Sequence, residues 1–152
     1  MSQERFRRCL DPGMSVVVGT VDAAGTPVSC RGLALTSADD LATLTVYVPL
    51  ATSQETIANV ATTHRIAVTA TYPLDNSSIQ MKGLASAARL ARDDEAPSVR
   101  AGLESFSDVL ETIGIPKRVT KGINWWPAFA IEMRVQEIYE QTPGPKAGTR
   151  IR

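Results

Sequence analysis

An arginine on a strand and a hydroxyl-rich helix start carry the most chemical content in this sequence. Arg31 lies in the apolar run Val28 to Thr36, and its planar guanidinium offers paired N–H donors that match a phosphate. Thr52 and Ser53 open the segment Thr52-Ser-Gln-Glu55, where hydroxyls and the positive end of a helix dipole supply further donors. Together these groups could hold a phosphorylated ligand. Strand arginines and helix caps also occur in proteins that bind nothing, so only their arrangement in space decides between the two readings.

The other reactive side chains are few. One histidine and two cysteines cannot build a zinc site of four cysteines, or of two cysteines and two histidines, from a single chain. Cys9, Cys30 and His64 also lack the paired spacings of metal ligands. No metal site is expected. His64 stands between a helix and a strand and reads as a turn residue, although any Ser-His-Asp mechanism would have to use it. Asp39-Asp40 and Asp93-Asp-Glu95 are accounted for by a turn and a helix start. The basic run Lys117 to Lys121 reads as a solvated connector, and no P-loop or GxGxxG run is present.

These residues are positioned by elements of mostly two-residue period. Met14 to Asp22 is rich in β-branched residues and is followed by Gly25 and Pro27, a hairpin signal. The next strand, Val28 to Thr36, alternates Arg31, Leu33 and Leu35 with Cys30, Gly32 and Ala34. After a turn at Ser37 to Asp40, Thr43 to Val48 alternates Leu44, Val46 and Val48 with Thr43, Thr45 and Tyr47. The capping-box spacing of Thr52 and Glu55 predicts a short helix to about Ala61. Strands at Ile66 to Tyr72 and Ser78 to Leu90 follow, the latter with Gln80 and Lys82 on its polar face. Asp93 to Ile113 reads as a longer helix, with Pro97 in its first turn and Gly114 and Pro116 ending it. A last strand covers Ala128 to Glu140, and two prolines make Thr142 to Gly148 a loop or tail.

Length and composition agree. The 152 residues, 43% hydrophobic and 21% charged, suit one soluble domain with a real core, flanked by an N-terminal extension of about 12 residues. Sixteen basic against sixteen acidic residues leave no cationic field for nucleic acid. The first residues lack an apolar signal run, no stretch is long enough to span a membrane, and the cysteines read as thiols, so a cytoplasmic protein is expected. Six strands with one short and one longer helix predict a mainly β protein, a small antiparallel six-stranded barrel with helical additions.

The run GTVDAAGTPVSCRGLALTSADD, then TLTVYVPLATSQETIANVATTHRIAVTA, then SSIQMKGLASAARL, resembles the pyridoxamine 5′-phosphate oxidase-like family of FMN-binding split β-barrels. The resemblance covers about Met14 to Leu90 in order, and the closing strand fits more loosely. It implies a homodimer with two FMN sites at the subunit interface. Arg31 matches the arginine that contacts the flavin phosphate, and Gly32, Leu33 and Ala34 match backbone lying along the isoalloxazine ring. Tyr47 and Val48 fall where the third strand borders that ring. Thr52 and Ser53 match the phosphate loop, but Gln54 stands where the family usually has a lysine, which implies weaker FMN binding because an amide brings no charge. Gln80 and Lys82 lie near the family's polar contacts on the fifth strand.

Trp125 and Trp126 either cover the barrel or the dimer interface, or touch flavin or substrate. Arg134 is isolated, and Lys146, Arg150 and Arg152 lie in the tail, so pyridoxamine phosphate oxidation itself is disfavoured. The function this resemblance implies is an FMN-dependent oxidoreductase acting on an unidentified small molecule, with a noncatalytic flavin-binding or interaction module as the alternative. A haem-binding relative, with His64 as its only histidine ligand, is a third choice.

Overall fold

The computed structural model describes residues 7–37 and 42–152. The expected turn at Ser37 to Asp40 and the pair Asp39-Asp40 therefore lie outside the described residues, apart from Ser37. Seven strands, β1 (Ser15–Val21), β2 (Pro27–Gly32), β3 (Ala34–Ser37), β4 (Thr43–Pro49), β5 (Arg65–Thr71), β6 (Ser78–Leu90) and β7 (Ala128–Glu140), form one sheet in the order β2-β1-β5-β6-β7-β4-β3. Every neighbouring pair is antiparallel. The sheet curls into a half-barrel. Its two edge strands, β2 and β3, are consecutive in the chain and separated only by Leu33.

The count of seven, where six were expected, comes from that break. Up to Gly32 the strand pairs with β1, and at Leu33 its N–H donates instead to the Tyr47 carbonyl, 2.8 Å away on β4. Changing partners costs one residue of alternation, as a bulge does. Leu33 and Ala34 therefore both pack on the outer face, and Leu35 turns into the barrel. The expected face of Arg31, Leu33 and Leu35 is thus corrected at Leu35. Glycine is required just before the break, because a Cβ at position 32 would overlap the Val16 side chain.

Period-2 alternation fills the interior. Val16 and Val18, Leu44, Val46 and Val48, Ile66 and Val68, Met81, Ile131 and Met133 converge from five strands. Each such side chain removed from water contributes roughly 1.5–3 kcal/mol. Helix α1 (Gln54–Thr63) covers this core with Val60 and Ile57. It runs to Thr63, two residues past the expected Ala61, and its last turn closes on His64, which has φ 58° and donates its N–H to the Val60 carbonyl.

A second, smaller core lies outside the barrel. Helix α2 (Ala96–Thr112), entered through a 3-10 turn at Asp93–Glu95, buries Val99 against Leu33, Tyr47, Ala128 and Ala130. Trp125 and Trp126 pack into the same cluster with their ring centroids 5.7 Å apart. The C-terminal tail is more ordered than expected. Beyond a loop that includes residues 142–148, the Ile151 N–H donates to the Ile138 carbonyl at 2.7 Å and its side chain packs on the barrel core. No helix among the described residues is long and apolar enough to cross a membrane.

Candidate functional site

Arg31 is exposed on the outer face of β2, with its guanidinium carbon 5.1 Å from the centre of the Phe106 ring on α2. A cation over an aromatic face is held in direction and keeps its charge available. Among the described residues Arg31 makes no ion pair. The preceding residue, Cys30, points inward to the Thr56 hydroxyl in the first turn of α1, and burial pushes its thiol pKa up. At the other end of α1, Asn59 donates to Thr20 and the Thr63 hydroxyl donates to the Val21 carbonyl. The start of α1 therefore lies level with Cys30 and Arg31.

That helix start differs from the expected capping box. Thr52 belongs to the 3-10 turn Leu50–Thr52, and Ser53 is the N-cap. Ser53 is fully buried and its hydroxyl donates 2.6 Å back to the Pro49 carbonyl, so it fastens the turn rather than capping the helix. Among the described residues, the first turn of α1 has no side-chain acceptor for its N–H groups. Exposed Thr52 and Gln54 flank it. The predicted spacing was right for a helix start and wrong for the bonds made there, because a buried hydroxyl takes the nearest carbonyl.

The ring-side residues have a more crowded setting. Leu33 is buried and Ala34 half-buried, and α2 crosses them at Gly102, where an added Cβ would come within 3.0 Å of both the Leu33 carbonyl and the Ala34 Cβ. Beside them a cleft of about 240 Å³ lies between β3, α2 and the segment Cys9 to Met14. Val48 faces the barrel interior. Tyr47 is buried on the outer face, paired with Ala34, and its hydroxyl donates 3.0 Å to Glu95 Oε1.

Glu95 was not anticipated as a centre of interactions. Both of its oxygens accept from the Arg89 guanidinium at 2.8 Å, and Oε2 also takes the Arg92 backbone N–H at 2.7 Å. These donors, the Arg89 cation above all, bring its pKa down to about 2, and Tyr47 beside that carboxylate is pushed up, by burial first and by Glu95 second. Phe106 was missed as well: the helical stripe marked it as apolar, and nothing local shows that it lies under Arg31. Only the short offset from Arg89 to Glu95 hinted at the carboxylate clamp.

Gln80 and Lys82 stand elsewhere. Both project from the outer face of β6, where Gln80 donates to the Thr69 hydroxyl at 3.2 Å and the Lys82 ammonium sits 4.6 Å from the Tyr139 ring centre. Strands β1 and β5 separate β6 from β2 on one side, and β7 and β4 separate it from β3 on the other. One chain therefore sets Arg31, Leu33, Ala34 and Tyr47 on the outer face near α2, with the start of α1 meeting the inner side of the same strand through Cys30, and leaves Gln80 and Lys82 on other strands. Cys9 and Cys30 are both buried thiols, and His64 lies at the end of α1.

No family model matches the chain, and no curated protein matches it by sequence. Solved structures do. HupZ of Group A Streptococcus is 19% identical with a TM-score of 0.56, the match covering 97% of this chain and 99% of that one. A protein of Lactobacillus delbrueckii described as a putative pyridoxamine 5′-phosphate oxidase is 17% identical, with TM-score 0.54 and coverage of 91% and 93%. An FMN-binding protein of Syntrophomonas wolfei is 13% identical, with TM-score 0.53 and coverage of 90% and 88%. The chain therefore has the split β-barrel fold of the pyridoxamine 5′-phosphate oxidase-like proteins.

Proposed function

We propose that this chain binds FMN at a site completed by a second copy of itself, and uses it in two-electron redox chemistry on a small molecule. The observation that carries this is Arg31, a cation without an ion pair among the described residues, next in sequence to Cys30, which meets the first turn of a helix whose N–H groups take no side-chain acceptor among those residues. That donor set fits a phosphate monoester. Arg31 would take two of its oxygens, the first turn of α1 a third, and Thr52 and Gln54 would border it. Ser53 would act through the turn that it fastens to Pro49. Bound FMN supplies the capacity to accept and return an electron pair, and the chain supplies position and shielding.

The second copy is needed on two grounds. The cleft beside Leu33 and Ala34, about 240 Å³, falls below the ~300 Å³ at which ligand pockets usually begin. Gln80 and Lys82 stand on a strand that β1 and β5 separate from the edge carrying Arg31, so they reach a flavin held there only from a partner, as a homodimer allows. We place this dimer in the cytoplasm, a reducing compartment that suits two buried thiols. A second reading, a noncatalytic flavin-binding module, is favoured by α2 lying across Leu33 and Ala34 and by the uncharged Gln54.

Titration of FMN into the purified protein, followed by quenching of flavin fluorescence, tests the proposal. Saturable binding is expected, weakened at least about tenfold in Arg31→Ala. Failure of the wild-type protein to retain or titrate flavin refutes it, and equal affinity in the variant refutes the phosphate assignment. Stopped-flow mixing of the flavin-loaded protein with NADH or NADPH then separates the two readings: bleaching supports the oxidoreductase, and no bleaching by either donor favours the carrier. Sedimentation equilibrium reads the dimer directly.

A further inference from the structure

We propose that a cleft on the opposite flank of α2 from Arg31 binds small aromatic carboxylates. The cleft holds about 670 Å³ between α2 and the 3-10 helix Lys117–Gly122, in the range of small-molecule sites. Its polar floor is closed. Thr120 spends its hydroxyl hydrogen on the Lys117 carbonyl at 2.9 Å, so Ser107 must be the donor in the buried 2.6 Å bond between them. Neither hydroxyl hydrogen is left for a ligand.

The charges around the rim are also largely matched. Arg100 pairs with Glu104 at 2.8 Å, and Lys117 pairs with Asp108 at 2.6 Å and with Glu111 outside the lining at 3.6 Å, so each carboxylate of the lining has a cation beside it. Lys121 remains as the lining cation with no ion pair among the described residues. Trp125 supplies a half-buried indole whose N–H has no acceptor among the described residues, while its ring packs on Trp126. Leu103 and Ile123 complete an apolar wall.

One unmatched positive charge, one unclaimed N–H donor and a flat apolar wall define the ligand. The single ammonium of Lys121, which has no ion pair among the described residues, suits a monoanion, and the indole N–H together with it suits the two oxygens of a carboxylate. The wall suits an aromatic body stacked on or against the indole. A dianionic phosphate would leave one charge unmatched, and a neutral aromatic would leave both donors unpaired. Flavin is not needed for this site, so its test stands apart from that of the FMN proposal.

The chain has two tryptophans, so a 15N-labelled sample gives two indole N–H signals to follow. Naphthalene-2-carboxylate is the probe, and naphthalene-2-carboxamide is its neutral control. Titration with the carboxylate is expected to move the Trp125 signal saturably, assigned by its loss in Trp125→Phe, with the carboxamide binding about tenfold more weakly. Lys121→Met, an exposed change that keeps the chain length, is expected to weaken the carboxylate about tenfold and leave the carboxamide unchanged. No movement of the Trp125 signal at millimolar probe overturns the proposal. So does carboxylate affinity unaltered by Lys121→Met, or equal binding of the two probes.

Discussion

Replacing Glu95 by glutamine keeps its shape and removes its charge at the point where three segments meet. The carboxylate ties the entrance of α2 to Arg89 on β6 through two bonds of 2.8 Å and to Tyr47 on β4 through one of 3.0 Å, and takes the Arg92 backbone N–H of the entrance itself at 2.7 Å. Glu95 is 11% exposed but Arg89 is 35% exposed, so the cation is partly rehydrated when its partner is lost. A drop in pKa from the ordinary 4.5 to about 2 corresponds to at most about 3 kcal/mol. Screening through the exposed guanidinium lowers the expected loss in Glu95→Gln to about 2 kcal/mol at pH 7. For a chain of this size that is roughly a 4–8 °C fall in Tm.

The pH dependence identifies the cause. Because folding depresses this pKa, the stabilisation is fully present above the unfolded value near 4.5 and is lost as pH falls toward about 2. Wild-type stability should therefore decline more steeply than that of Glu95→Gln between those limits, and the two should converge at the acid end. Thermal unfolding followed by circular dichroism at pH 7, 4 and 2.5 reads both quantities. Equal Tm values at pH 7, or a gap that persists undiminished at pH 2.5, would refute an electrostatic clamp and leave only packing.

Other predictions address the proposed phosphate site and the packing around it. Gln54→Lys restores a cation at the start of α1 and should tighten FMN binding about three- to tenfold in the same fluorescence titration, an effect that added salt should erode. Ser53→Ala removes the 2.6 Å bond to Pro49 in a buried turn and should cost about 1–2 kcal/mol by urea unfolding, with flavin affinity falling as the turn loosens. Gly102→Val would force α2 off Leu33 and Ala34, since even a Cβ meets both at 3.0 Å, and should destabilise the fold by about 1–3 kcal/mol in the same assay.

Strands and helices were legible because their signals are local. Alternating side chains point to opposite faces of a strand whatever its partner, so Leu44, Val46 and Val48, or Ile66 and Val68, announced the interior directly. The longer helix declared itself by Pro97 and by apolar steps of three and four. Where the expectation failed, the deciding contact was distant. The strand from Val28 to Thr36 reads as continuous until the Tyr47 carbonyl, 14 residues beyond Leu33, draws off the Leu33 N–H and reverses the facing of Leu35. Thr52 looks like the capping hydroxyl until the chain winds it into a 3-10 turn and leaves Ser53, its buried hydroxyl turned to Pro49, at the cap position.

The candidate site divides in the same way. The sequence by itself determined which groups can meet an anion: Arg31, the hydroxyls at Thr52 and Ser53, and an uncharged Gln54, since donor type and charge are properties of single residues. It also determined a mainly β chain with enough apolar alternation to enclose a core. Tertiary structure alone decided that Arg31 rests on Phe106, that α2 covers Leu33 and Ala34, and that Gln80 and Lys82 stand on a strand that two others separate from the edge carrying Arg31. Those facts depend on the order in which strands pair and on where a helix lands, which are set by the sum of many weak burials across the whole chain and are written in no single segment of it.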